Sequence, residues 1–192
     1  MYLGALISNA PLSVQVREHA DAKASQLFKF NSFLYKNSDA PFKVKKTVWH
    51  SAMSSSVLYA CETWLCERYP RIEKLYLNSI KSLLGVRSTT SNILVLVEVG
   101  LNSLKGTVLG RQARFIKKLV ERPGFYDSYI GKAVSLAVNS RCPAGRILNR
   151  LLNNVRVPDL HSLCGQVVAN REKSRFATYL MVNPELMEGW LY

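Results

Sequence analysis

The chain has 192 residues, of which 26 are Lys or Arg and 13 are Asp or Glu, giving a formal net charge of +13, and 48% are hydrophobic. That is enough apolar material for one domain, or two small ones, with a real core. No 18-residue apolar run marks a membrane span, and Met1–Ala10 lacks the basic start and apolar stretch of a secretory leader.

In chain order the pattern predicts mostly helix. Residues 2–8 read as one short strand, which alone leaves its edges unpaired. Ser13 is placed to cap a helix running to about Tyr35, with Val16, Ala20, Ala24, Leu27 and Leu34 on a helical period. Asn37-Ser38-Asp39-Ala40-Pro41 is a turn cluster that also caps a second helix, about Phe42–Ala60. Pro70 suits the first turn of a third helix, with Ile72, Leu75, Tyr76, Ile80, Leu83 and Leu84 inward and Gly85 as its stop. Ser91 caps a short helix through about Glu98, stopped by Gly100. Ser103 starts another, to about Glu121, ended by Pro123-Gly124. Residues 123–130 form a loop and the expected domain boundary. Beyond it, Tyr129–Ser140, Gly145–Asn153 and Arg171–Val182 read as shorter helices. The fold class that follows is mainly α, an irregular bundle of about six to eight helices with at most one N-terminal strand.

The positive surplus favours a polyanionic partner, nucleic acid before membrane. It is uneven: residues 1–60 carry 7 basic and 3 acidic groups, 61–122 carry 11 and 5, and 123–192 carry 8 and 5. On the 103–121 helix, Arg111, Arg114, Lys118 and Arg122 recur at spacings of three and four, which stacks them on one face. Leu109, Ala113, Ile116 and Val120 then form the core side. Such a ridge can follow a phosphate backbone, and the planar guanidinium grips phosphate in bidentate fashion. A second cluster, Lys43, Lys45 and Lys46, opposes the helix dipole at the start of its helix, a mild frustration that phosphate would relieve. Arg87 precedes a Thr/Ser/Asn cluster at a helix start, where backbone N–H groups could take an anion, although a plain capping turn is the preferred reading.

Other chemistries find little support. Cys61 and Cys66 are not at zinc-ligand spacing, Cys142 stands alone, and His161-x-x-Cys164 is the one close pair. No metal site and no cofactor is expected, and four cysteines without a secretory leader read as reduced intracellular thiols. His19, His50 and His161 are scattered, and no Ser/His/acid or Cys/His grouping has supporting context.

The segment from Ser56 to Leu104 carries the sharpest motifs. Tyr59-Ala60-Cys61-Glu62-Thr63-Trp64 sets a lone acid between two large aromatics. Burying that carboxylate costs several kcal/mol, so a backbone N–H or a nearby Arg is expected to hold Glu62. Then come Leu83-Leu84-Gly85-Val86-Arg87, Thr89-Thr90-Ser91-Asn92 and Val97-Glu98-Val99-Gly100-Leu101, with Tyr2-Leu3-Gly4 upstream. In this order the motifs resemble the region downstream of the polymerase core in non-LTR (LINE-type) retrotransposon reverse transcriptases, over residues 2–122. Tyr59, Glu62 and Trp64 match that family's Tyr-Gly-x-Glu-x-Trp signature, with Ala60 where Gly is usual. Asn102-Ser103 stands where a Pro-bearing turn is common.

The resemblance implies a helical thumb that holds an RNA/DNA template–primer duplex by its backbone, largely without reading sequence. Tyr59, Trp64 and Tyr69 are expected to pack rather than to stack bases. No Tyr/Phe-x-Asp-Asp and no adjacent pair of acids occurs, so the clustered carboxylates of two-metal chemistry are missing. The nearest acids, Glu18 and Asp21, are expected on one solvent-facing turn. The expectation is therefore a fragment without polymerase activity of its own: a thumb-like region at 2–122, an extension of unknown role at 123–192, and an intracellular location, nuclear or cytoplasmic. Two further readings stay open, namely part of an intact RNA-directed DNA polymerase whose palm is missing from the gene model, and a helical module for nucleic-acid or protein contact with no polymerase role. A thumb apart from its palm is also expected to expose an apolar face and to self-associate.

Overall fold

The computed structural model describes residues 10–66, 68–140 and 142–155. The strand expected at 2–8, the helix expected at Arg171–Val182, and His161 and Cys164 lie outside them. Among the described residues the chain is helical, without a strand: α1 Leu12–Lys36, α2 Phe42–Val48, a π-helical segment Trp49–Ser54, α3 Ser55–Val57, a 3-10 turn Cys61–Thr63, α4 Pro70–Leu84, α5 Asn92–Val99, α6 Leu104–Val120, a 3-10 turn Phe125–Asp127, α7 Tyr129–Asn139 and α8 Pro143–Val155. This is the expected mainly-α bundle.

The N-terminal boundary of α1 differs from expectation. Ser13 lies inside the helix, and Pro11 stands at its N-cap with φ −53° and ψ 143°, with no side-chain cap. The proline ring pre-sets φ for the turn into the helix, and the Pro11 carbonyl accepts from the Val14 and Gln15 N–H groups at 2.9 and 3.1 Å. Pro41 takes the same position before α2, again without a side-chain cap. Val16, Ala20 and Phe30 are buried, whereas Ala24 is exposed, a correction to its expected inward place.

The helix expected over 42–60 stops at Val57, and its middle is a π-helix. The wider turn brings Trp49, Met53, Ser54, Val57 and Leu58 to the interior together. The indole N–H of Trp49 donates to Ser79 Oγ at 2.8 Å, whose hydroxyl donates to the Tyr76 carbonyl at 2.7 Å. The Tyr76 ring meets Trp49 edge-on at 5.6 Å, and its hydroxyl donates to the Asn102 carbonyl at 3.1 Å. This relay satisfies the polar atoms that two large aromatics carry into the core.

α4 behaves as expected, with Pro70 at its first position and Ile72, Leu75, Tyr76, Ile80 and Leu83 buried. Gly85 closes it at φ 68°, where its N–H bonds the Ser82 carbonyl and the Val86 N–H bonds that of Lys81. α5 ends in the same way: Gly100 N–H bonds Val97, and Leu101 N–H bonds Leu96. These are Schellman stops, which need a left-handed residue and so favour glycine. Lys81 is buried, and its ammonium reaches the Ser88 carbonyl at 2.6 Å, tying down the turn that follows α4.

α1 lies along α4, and an exposed Arg71–Asp21 ion pair bridges the two. The apolar residues form two clusters. The larger runs from Val16 through Trp49, Leu58, Ile72 and Ile80 to Leu104 and Val108. The smaller joins Ile116 and Leu119 of α6 to Phe125 of the second 3-10 turn and Ile147, Leu148 and Leu151 of α8. α6 thus serves both clusters, and packing continues across residue 122. No single helix among the described residues is long and apolar enough to cross a membrane. Ile80, fully enclosed in the larger cluster, sets the scale of that packing. Ile80→Ala should destabilise the chain by about 2–5 kcal/mol in denaturant unfolding, through lost transfer energy and the cavity left behind.

Candidate nucleic-acid interface

The segment between α3 and α4 is built around one left-handed residue. Ala60 has φ 56° and ψ 21°, the one non-glycine with positive φ among the described residues. An alanine there places its Cβ against the following carbonyl, at roughly 1–2 kcal/mol. The turn persists because both of its flanks are held. His19 Nε2 lies 3.0 Å from the Val57 carbonyl, and its ring packs edge-on against Trp64 at 5.4 Å. Tyr69 donates its hydroxyl to the Trp64 carbonyl at 2.9 Å. Trp64 and Tyr69 are buried, as expected for packing aromatics, while Tyr59 is 41% exposed.

Glu62 departs from expectation. It is half-exposed, and among the described residues neither a backbone N–H nor an arginine pairs with it. Exposure itself removes the burial cost, since water solvates the carboxylate. The cleft beside Tyr59, Thr63, Trp64, His19 and Val16 is about 30 Å³, room for one water and not for a substrate. Glu18 and Asp21 are exposed as expected, and Asp21 is taken by Arg71.

α6 crosses this turn, and its true inward stripe is Leu104, Val108, Gln112, Ile116 and Leu119. Of the expected core face only Ile116 is buried; Leu109, Ala113 and Val120 are half-buried. The rotation has a polar cause. Gln112 is fully enclosed and donates its amide to the Trp64 carbonyl at 2.7 Å and the Cys61 carbonyl at 3.4 Å. Its Oε1 accepts no hydrogen bond among the described residues. Nothing in the hydrophobic pattern marks a glutamine as the centre of a helix's buried side.

The expected cations divide into two groups. Arg111 is half-buried, and its guanidinium donates to the Leu58 carbonyl at 3.3 Å and lies 4.0 Å from Cys61 Sγ. Lys45 reaches the Ser38 carbonyl at 2.6 Å, and Lys46 reaches that of Val99, the last residue of α5, at 2.7 Å. These three close backbone carbonyls, so the frustration expected at the start of α2 is relieved within the chain for Lys45 and Lys46. Arg114, Lys118 and Arg122 are exposed and make no ion pair among the described residues; the Arg114 Nε–H rests on the Gly110 carbonyl at 3.2 Å. Lys43 and Arg87 are exposed as well, at the start of α2 and in the turn before α5. Ser103 caps α6 as expected, accepting from Gly106 N–H at 3.2 Å. Ser91 precedes α5 without a side-chain cap bond.

The buried thiols of Cys61 and Cys66 are poor nucleophiles and poor metal ligands. Burial pushes both Cys61 and Cys66 up to about 11, Glu62 adding to the effect at Cys61 and Arg111 opposing it. Cys142 is exposed at the start of α8, where hydrogen bonds from Ser140 and the Gly145 N–H lower its thiol. No group of three His, Cys, Asp or Glu poised for a metal occurs among the described residues. Comparison of the chain with protein-family models, with curated proteins and with solved structures finds no match.

The turn yields two measurements. Ala60→Gly should raise unfolding stability by about 1 kcal/mol in denaturant titration, since glycine adopts this backbone freely. Burial, opposed in part by the Val57 carbonyl, holds His19 below its usual 6.5, so the native ring stays neutral where the unfolded one takes a proton. Stability is then complete above pH 6.5 and falls as pH drops through the window beneath it. Melting temperature followed from pH 7 to 5.5 should decline, and His19→Gln should flatten that decline more than His50→Gln, because His50 is exposed.

Proposed function

We propose that this chain is a helical nucleic-acid-binding module of the kind a non-LTR reverse transcriptase uses as its thumb, holding an RNA/DNA backbone by charge and shape without catalysing polymerisation itself. The observation that carries the reading is the exposed ridge of Arg114, Lys118 and Arg122. Arg114 and Lys118 lie four residues apart on α6 and Arg122 follows in the turn just past its end; none has an acidic partner among the described residues, within a chain of net charge +13. Successive side chains on such a ridge are about 6 Å apart along the axis, a spacing that can follow one strand's phosphates. Lys43 and Arg87 add exposed charge elsewhere on the surface.

The resemblance gains support from backbone geometry. Ala60, Gly85 and Gly100, which sit in three of its motifs, are all left-handed residues at helix exits. The usual Gly of the signature falls at the one position where this chain strains an alanine. The absence of paired acids supports a role in holding rather than in two-metal chemistry. The competing reading is an ordinary amphipathic helix whose last turn favours cations because of its dipole.

Fluorescence anisotropy of a labelled RNA–DNA hybrid, titrated across a salt series, separates the two. Binding should weaken with rising salt by nearly one power of concentration per phosphate neutralised. Reversing Arg114, Lys118 and Arg122 together to Glu should remove about three from that slope and most of the affinity. A folded wild-type chain that does not bind, or a reversed variant that binds equally, sinks the proposal.

A further inference from the structure

The aromatics of the signature are spoken for by the core, yet the ridge carries an aromatic of its own. Phe115 is 39% exposed and belongs to neither apolar cluster. It lies on α6 where the helix passes from the larger cluster, which it leaves at Val108, to the smaller, which it enters at Ile116. On a helix its surface neighbours are the residues three and four away: Arg111 and Gln112 before it, Lys118 and Leu119 after it. A half-exposed phenyl ring therefore stands one turn before the exposed Lys118 and one turn after the half-buried Arg111, whose guanidinium closes the Leu58 carbonyl, with the exposed Arg114 next in sequence.

The other exposed aromatics of the helices differ: Phe42, 44% exposed at the start of α2, has Lys45 and Lys46 three and four residues on, but on one side only and both closing backbone carbonyls. Phe28 and Tyr35 of α1 are 79% and 87% exposed, and none of their three- or four-residue neighbours is basic. Tyr129 at the start of α7 has Lys132 alone.

A ring left in water among cations suits a ligand that offers both negative charge and a flat apolar face. A nucleotide does, through its phosphate and its base. A closed duplex presents phosphates and sugars to such a ridge and keeps its base faces stacked, whereas an unpaired nucleotide offers a free face, which aromatic side chains take up without regard to sequence. We infer that Phe115 is a stacking platform for an unpaired base, so that the α6 ridge seats a single strand, or the junction where a single strand leaves a duplex, in preference to uninterrupted duplex. The inference rests on the nucleic-acid reading of the ridge and specifies the form of nucleic acid that the ridge takes.

The test uses the full chain and two labelled probes of equal phosphate number, a blunt RNA–DNA hybrid and a shorter hybrid that carries a single-stranded overhang, at fixed salt. Wild type should bind the overhang probe at least about fivefold more tightly, the scale of one stacked base. Phe115→Ala and Phe115→Leu should both collapse that ratio toward one, through a loss of about 5- to 100-fold on the overhang probe, and Phe115→Tyr should keep it. Leu preserves apolar bulk without a ring, so a loss it shares with Ala reports stacking rather than packing, and thermal melts of each variant confirm that they fold. Equal affinity of wild type for the two probes, or Phe115→Leu with an undiminished ratio, overturns the stacking platform while leaving the ridge standing. Failure of wild type to bind either probe overturns both.

Discussion

One amide joins the two halves of this architecture. Gln112 Nε2, enclosed in the middle of α6, donates to the carbonyls of Cys61 and Trp64 and so fastens the turn between α3 and α4 onto the helix that crosses it. The Trp64 carbonyl also receives the Tyr69 hydroxyl, which fills both of its lone pairs. Arg111, one residue before the glutamine, closes the Leu58 carbonyl on the same turn. A segment with an alanine in left-handed conformation and several carbonyls outside any helix would otherwise be a weak point. These donors make it a junction, and everything α6 presents to solvent is oriented by it. The cost is an Oε1 that accepts no hydrogen bond among the described residues.

The motifs that suggest a retrotransposon relationship prove, in physical terms, to be mainly instructions for leaving helices. Gly85 and Gly100 end α4 and α5 in Schellman stops, and Ala60 turns the chain before Cys61–Thr63. Trp64 and Tyr69 then pack beneath the turn. These residues set the angles between helices. The charge-bearing positions of α6 lie outside the motifs.

The sequence pattern made some parts of this molecule legible and hid others. α4 was readable almost residue by residue, because proline, an apolar period and glycine all act locally. The approximate bounds of α5, α6, α7 and α8 were readable too, although the buried face of α6 was not. The first helix was located correctly, but its start was assigned to Ser13 because a hydroxyl is the commoner cap, when Pro11 had already set the backbone. The π-helical segment at Trp49–Ser54 could not be read from a period of 3.6, since it exists to bring Trp49 and Met53 inside together. The basic residues show the same limit most clearly. Lys45, Lys46 and Arg111 look like their exposed neighbours in sequence, yet Lys46 and Arg111 close carbonyls supplied by distant parts of the fold, and Lys45 closes that of Ser38 in the turn before its helix. Whether a cation faces water depends on where an unsatisfied carbonyl lies, and that is a tertiary fact. Gln112 was missed for the mirror-image reason: a polar residue on a buried stripe signals nothing until its partners are known.

The sharing of α6 between two apolar clusters bears on how such a chain could be inherited. Leu104 and Val108 complete one cluster, and Ile116 and Leu119 complete the other, within a single helix. A recombination breakpoint before α6 would strip the larger cluster of two of its members. One just after α6, at the Pro123-Gly124 break that the sequence offers as a natural seam, would strip Ile116 and Leu119 of Phe125 and of Ile147, Leu148 and Leu151. The unit able to pass intact between genomes, or to be grafted into another protein, therefore extends at least from α1 through α8, however separable its parts look on the page.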